Sequence, residues 1–223
     1  MLSTVIPTLE AADSLADAIR CVAESEFETE IIVADGGSSD GTAAIAEALG
    51  ARLIRCPPGR GGQLRAGAEA ASGDWLLFLH ADTVLAPGWQ AAGRDFMNDA
   101  GTLERAAVFG FALDDAAPAA RRLEKLVAWR SRFLALPFGD QGLLIGRAFY
   151  DKLGGYRPLP LYEDVDLVRR IGAKRLTVLD ASAVTSAARY RRAGYVFRPL
   201  CNLTCLGLYF AGLPPRLIGR LYR

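Results

Sequence analysis

The 223-residue chain, with 51% hydrophobic and 23% charged residues, is too long for a disulfide-stapled miniprotein and too apolar for a disordered chain. It suits one large α/β domain with a radius of gyration of about 17 Å. Its 26 basic and 25 acidic side chains give a net charge of +1, which removes the global electrostatic case for nucleic acid as a partner.

In chain order, residues 3–7 (STVIP) read as a buried strand, and Leu15, Ala18, Ile19 and Val22 follow at helical spacing. A second strand at 30–35 (EIIVAD) precedes a helix with Ile45, Ala48 and Leu49 on one face, and a third strand covers 51–56. An alanine-rich helix at 63–71 leads to a fourth strand at 74–79 (DWLLFL). Apolar strands separated by single helices imply a parallel sheet covered on both faces. The second half is mixed. It has a strand at 106–113, a helix at 118–136 with Leu123, Leu126, Val127, Phe133 and Leu134 inward, and a short helix from Tyr162 to about Ile171. The expected architecture is an α/β, mostly parallel sheet with a helical C-terminal tail: one domain over 1–190 and a basic, apolar extension over 191–223.

The charge is uneven along the chain. No acidic residue follows Asp180, so residues 181–223, with seven arginines, carry +7. The 19 basic and 25 acidic residues upstream leave the body at −6, an asymmetry that suggests an anionic partner or surface. Cys21, Cys56, Cys201 and Cys205 form no C-x-x-C pair and no cleavable apolar leader is read, so a reducing cytoplasm is expected and structural zinc is not. The longest apolar stretch, 200–213, is broken by Asn202 and Thr204 and falls short of the ~20 residues that span a bilayer.

In an open parallel sheet, ligands sit beyond the carboxyl ends of the strands. Asp35 ends an apolar strand before a glycine-containing turn, where a carboxylate can accept hydrogen bonds from a base or ribose; Ser39 and Asp40 there are also placed to cap the next helix. Arg60, before Gly61 and Gly62 at a helix start, joins a guanidinium to free backbone N–H groups, an anion-binding combination that is also an ordinary turn. Neither G-K-[ST] nor G-x-G-x-x-G is present, which excludes a P-loop and argues against a dinucleotide fold. At the tip of the fourth strand, Asp82 offers a carboxylate anchor for a hard divalent cation, with the imidazole of His80 on the same side. Glu163, Asp164 and Asp166 place three carboxylates in five residues, where neighbouring charge can raise a pKa to suit a general base. Asp140 and Gln141 form one more polar loop between apolar flanks.

Five segments, STVIPTLE, VADGGSSDGT, GDWLLFLHADT, GDQGLLIGRAFYDKLGGY and YEDVDLVRR, resemble in order and spacing the family 2 glycosyltransferases of GT-A fold, over residues 3–190. The resemblance implies inverting transfer of a sugar from a nucleoside-diphosphate donor to an acceptor hydroxyl, assisted by Mg²⁺ or Mn²⁺; because Ser186-Ala187-Ala188-Arg189-Tyr190 lacks the Gln and Trp of the Q-x-x-R-W element of processive members and no membrane span is read, the transfer is expected to be non-processive. It implies that Pro7, Thr8 and Glu10 line the nucleotide pocket, that Asp35 meets the base, and that Arg60 or Arg65 approaches the base or diphosphate. His80-Ala81-Asp82 stands where the family has D-x-D, with Asp82 on the metal and His80 near the ribose. Asp164, beside Glu163 in the E-D motif, would take the acceptor proton, with Asp140 and Gln141 on the acceptor side.

Two departures bear on this. His80 replaces the first aspartate of D-x-D, and no second histidine is available as a late metal ligand. For the tail, two readings stand: peripheral docking at the inner face of a membrane beside a lipid-linked acceptor, or packing on the core or on a second subunit as a homodimer. Two other functions are weighed. One is a sugar-nucleotide nucleotidyltransferase, disfavoured because Thr8-Leu9-Glu10-Ala11-Ala12 is not a basic, glycine-rich loop. The other is a nucleotide-sugar binding protein without catalysis.

Overall fold

The strands of the first half carry apolar side chains on both faces, and the protein buries both. The structure, a computed structural model, describes residues 1–221; Arg223, one of the seven arginines of the tail, lies outside them. The first half alternates β1 (Leu2–Thr8), α1 (Leu15–Ala23), β2 (Thr29–Asp35), α2 (Thr42–Ala48), β3 (Arg52–Arg55), α3 (Arg60–Ala70) and β4 (Trp75–Phe78), as the periodicity predicts. After these come β5 (Thr83–Leu85), α4 (Trp89–Asn98), β6 (Ala106–Leu113), α5 (Pro118–Leu134), β7 (Leu143–Gly146), α6 (Arg147–Lys152), α7 (Glu163–Ile171) and β8 (Leu176–Thr185). Three helices close the described chain: α8 (Ala188–Ala193), α9 (Phe197–Phe210) and α10 (Pro215–Leu221).

One sheet takes the order β3-β2-β1-β4-β7-β6-β8-β5. β1 pairs in parallel with β2 and β4, β2 with β3, and β6 with β8, while β7 is antiparallel to β4 and β6, and β5 to β8. Six strands therefore run one way and two the other, and the carboxyl ends of β1, β2, β4, β6 and β8 share an edge.

Alternation along each strand sorts the core onto two faces. Leu77 and Leu79 join Leu15, Ile19, Trp89 and Phe96 of α1 and α4 on one face. Leu76 and Phe78 join Leu64, Phe149, Leu167 and Ile171 of α3, α6 and α7 on the other. α3 lies so close to the sheet that a Cβ on Gly67 would sit 2.2 Å from Val5 Cγ1.

The orientation of α5 differs from expectation. Ala120, Leu123, Val127 and Ser131 face inward, while Leu126, Phe133 and Leu134 are 56%, 68% and 51% exposed. The cause is a polar anchor: the Ser131 hydroxyl donates to Gln141 Oε1 at 2.7 Å, and Gln141 Nε2 donates to the Phe109 carbonyl at 2.9 Å, so the helix turns Ser131 to the core. The tail packs on the domain, as Cys205, Leu206 and Ile218 cluster with Tyr162 and Val165 of the α7 region. No described helix is long and apolar enough to cross a membrane.

Candidate active site

Beyond the ends of β4 and β8 lies a cleft of roughly 840 Å³, counted to its open mouth, that takes in Arg60, His80, Asp82, Asp140, Glu163 and Asp164. The chain builds it from three elements. The turn after β4 brings His80 and Asp82, and the Ser186 amide after β8 donates to the Asp82 carbonyl at 3.1 Å to fix that turn. The 3₁₀ turn Gly139–Gln141 before β7 brings Asp140. The start of α7 brings Glu163 and Asp164, and α8 and α9 close the far wall with Arg189, Tyr190, Arg198 and Asn202.

Asp164 is held by two backbone amides: Gly139 N–H donates to Oδ2 and Val165 N–H to Oδ1, both at 2.7 Å. Only glycine fits at 139, because a Cβ there would meet His80 Nε2 at 2.6 Å. The carboxylate is thus oriented by main chain, with capacity left on each oxygen for a substrate hydroxyl.

Glu163 is buried and forms an ion pair with Arg60, Oε1 to Nε at 3.1 Å. Burial raises its pKa, the Arg60 charge opposing and the Asp164 charge adding to the shift. Arg60 also lies 3.3 Å from His80, Nη1 to Nε2. Burial, then the charges of Arg60 and Arg189, keep His80 well below the usual histidine range, so the imidazole is neutral and Nε2 is suited to accept from Arg60.

Asp140 carries an orphan. Its Oδ1 is buried with no hydrogen-bond partner among the described residues, as are Nε and Nη2 of Arg130 and Oδ1 of Asn202. Burial pushes the Asp140 carboxyl up to about 6; Arg130 opposes this, and Asp164 and Asp82 add to it. The Arg130 guanidinium lies 3.6 Å over the Phe138 ring, so it is held by an aromatic face as well as by charge. Unpaired buried polar atoms around one cleft are costly unless something binds there.

Other expected site residues lie elsewhere. Asp35 does not line the cleft. Its Oδ1 accepts from the Thr8 and Ser38 hydroxyls at 3.0 and 2.5 Å, and its Oδ2 from the Gly37 and Ser38 amides at 3.1 and 2.9 Å, which fills its four acceptor positions. Burial works against its charge, yet these donors outweigh it and lower the pKa. Asp35 therefore organises its loop in this structure. Thr8 is buried in that network, Pro7 is half-buried beside it, and exposed Glu10 accepts from the Ser39 amide at 2.8 Å, stapling the β1–α1 and β2–α2 loops together. Arg65 stands apart from the cleft: its Nε pairs with Glu69 at 2.9 Å in a separate depression that shares no residue with it. Gln141 is 1% exposed and bonded to Ser131 and the Phe109 carbonyl. Asp166 turns away to Arg157 and Arg170.

Sequence reasoning missed Gln63, Arg130, Arg189, Arg198 and Asn202. Gln63 Nε2 donates to the Thr8 and Ala34 carbonyls at 2.7 and 2.8 Å, tying α3 to the tips of β1 and β2. A polar residue interrupting an Ala-rich helix marks it only weakly. For Arg198 and Asn202, the polar breaks in the apolar tail were the available signal.

Comparison with known proteins bears on this arrangement. The family description "Glycosyl transferase family 2" matches residues 3–103. A "PGL/p-HBAD biosynthesis glycosyltransferase" of Mycobacterium tuberculosis is 35% identical over 117 residues, covering 49% of this chain. The chain spans only 41% of the length of that relative. Among solved structures, S. aureus TarS 1-349 in complex with UDP-GlcNAc superposes with a TM-score of 0.65 at 17% identity, covering 99% of this chain and 70% of TarS. Glucosyl-3-phosphoglycerate synthase from Mycobacterium tuberculosis, in complex with Mn²⁺, UDP-glucose and phosphoglyceric acid, gives a TM-score of 0.56 at 20% identity, covering 80% of this chain and 68% of the synthase. The GT-A fold is shared, and the resemblance read from the five segments stands.

Proposed function

We propose that this chain, whose residues 3–103 match the family 2 glycosyltransferases, transfers a sugar from a nucleoside-diphosphate donor to an acceptor hydroxyl with inversion at the anomeric carbon. The observation that carries the reading is the meeting of Asp82 and Asp164, 82 positions apart in the chain, in one cleft at the carboxyl edge of the sheet. A donor whose base rests against the stapled loops around Pro7, Thr8 and Glu10 would run its diphosphate toward Asp82, with His80 near the ribose. Arg60, fixed by Glu163, adds a positive charge to the same wall.

The residues fit a divalent cation of the hard kind. Asp82 lines the cleft with carboxylate oxygen, and such ions take one or two carboxylates and complete their shell from phosphates and water. Among the described residues no group of three or more His, Cys, Asp or Glu holds a metal unaided. Asp82 would hold Mg²⁺ or Mn²⁺, whose charge offsets that building on the departing diphosphate.

Asp164 acts as general base. It takes the proton of the acceptor hydroxyl as that oxygen bonds to the anomeric carbon, and the bond from this carbon to the diphosphate oxygen breaks with its electron pair. Asp140, on the acceptor side, hydrogen-bonds an acceptor hydroxyl and so satisfies its orphan oxygen. Glu163 supports by holding Arg60.

The test is release of nucleoside diphosphate from a panel of nucleotide sugars with Mn²⁺. We expect Asp164→Asn to lower turnover by about 10²–10⁴-fold with donor binding kept, and Asp82→Ala to weaken both. Pyrophosphate release would identify a nucleotidyltransferase, and donor binding without turnover in the wild type would identify a binding protein; either overturns the proposal.

A further inference from the structure

The surface beside the cleft is strongly apolar. α9 buries Cys205 and Leu206, and its outer side carries Val196, Leu200, Leu203 and Phe210 at helical spacing, 80%, 58%, 63% and 46% exposed. α5 adds a second ridge, in which Trp129 and Phe133 are 51% and 68% exposed with ring centroids 6.1 Å apart. Runs of large exposed apolar side chains on neighbouring helix turns mark a surface that meets something other than water.

The charges bordering these ridges are mostly basic, and the acids beside the start of α9, Asp114 and Asp115, are already paired with Arg191 and Tyr195. Arg122, Lys125 and Arg132 are exposed on α5, and Arg192 and Arg216 flank α9, while no acidic residue occurs after Asp180. The one acid within α5, Glu124, is already paired with Arg121 at 2.7 Å. A second copy joined about a twofold axis would set these cations against themselves, whereas an anionic lipid surface complements them. Each cation near such a surface strengthens binding about fivefold, and aromatic and leucine side chains enter the boundary between headgroups and acyl chains.

α9 borders the cleft, and the segment that follows α5 reaches it. Arg198 and Asn202 of α9 line it on the side of the helix away from Leu200 and Leu203, and Phe138, four residues past the end of α5, lines it too. We propose that the exposed faces of α5 and α9, with their flanking arginines and lysine, seat the protein on an anionic lipid bilayer with the cleft beside the contact. The inference does not depend on the sugar-transfer reading, since binding is measured without donor or acceptor.

Sedimentation with large vesicles tests it. Wild-type protein should bind phosphatidylcholine vesicles containing 30% phosphatidylserine at least tenfold more tightly than pure phosphatidylcholine vesicles, and 0.5 M NaCl should remove most of that difference. Leu200→Gln/Leu203→Gln should lower binding to the anionic vesicles at least tenfold with an unchanged melting temperature, because neither side chain packs on the core. Trp129→Gln, on the other ridge, should weaken it in the same way. The proposal is overturned if wild-type protein stays in the supernatant with anionic vesicles. It is equally overturned if the double variant binds vesicles as wild type does but converts a dimer to a monomer in sedimentation velocity, which would assign the face to a second copy.

Discussion

Asp140 shows how a single side chain can report on the cleft. Its carboxyl is pushed up to about 6, above the value it has in an unfolded chain, so the folded protein holds a proton there that the unfolded chain has already lost. The stabilisation is complete below about pH 4 and is lost as pH rises through about 6. We expect the melting temperature of wild-type protein to fall between pH 4.5 and 7, and Asp140→Asn to flatten that fall, with a residual slope of the same sign from Glu163. Equal slopes for the two proteins in a pH series of thermal melts would contradict the assignment. The positions of Asp82 and Asp164 were legible in the sequence because each stands where an apolar element stops, at a strand tip or a helix start. Asp35 has the same signature and lies outside the cleft. What separates it is the surrounding Thr8 and Ser38 hydroxyls, a tertiary fact that no local pattern carries. The placement of Arg65 and Gln141 outside the cleft was hidden for the same reason, since a charged or amide side chain near a motif can point either way around its helix or turn.

At the scale of elements, the contact between α3 and β1 is the tightest in the first half. Glycine at position 67 lets the helix settle on Val5, and alanine there would place its methyl 2.2 Å from Val5 Cγ1. Gly67→Ala gains helix propensity of about 1 kcal/mol, yet overpacking of about 1–3 kcal/mol should outweigh it. We expect net destabilisation in urea melts, with Val5→Ala added to Gly67→Ala recovering part of the loss; a more stable single variant would show that the helix has room to move. The alternation from β1 to β4 was legible because each strand is an apolar run and each helix a separate amphipathic stretch. β5, β7 and β8 were not. β5 has three residues and β7 four, too few for a period to emerge, and β8 is half-exposed with Asp180 and Ser182 in its middle. α5 carries two apolar stripes, and the bond from Ser131 to Gln141 selects the one with smaller side chains for the interior.

The whole molecule joins its tail to its cleft. Leu206 and Cys205 of α9 pack against Tyr162 and Val165, and the Tyr209 ring lies 5.0 Å from that of Tyr162. Tyr162 takes a left-handed backbone, φ 63°, immediately before Glu163 and Asp164, a conformation a bulky residue keeps only when its surroundings hold it. We expect the extension over 191–223 to unfold with the domain in one transition by both circular dichroism and fluorescence. Leu206→Ala should shift that whole transition, at a cost of about 2–5 kcal/mol. A separate early transition in the variant would mean that the tail is an independent unit. No local pattern along the chain signals this dependence, because the packing partners are about 40 positions apart.

The strand order also sets a timetable for synthesis. β1 to β4 can pair as soon as they leave the ribosome, but β5 pairs only with β8, and the Thr83 hydroxyl waits for the Thr185 hydroxyl, 2.7 Å away in the finished fold and 102 positions later in translation. At about 5–20 residues per second, the growing chain carries the Asp82 turn for several seconds before its support is made. A nascent polypeptide stalled before β8 should therefore be open to proteases just past Leu79, with the cleft lacking a wall until α8 and α9 emerge.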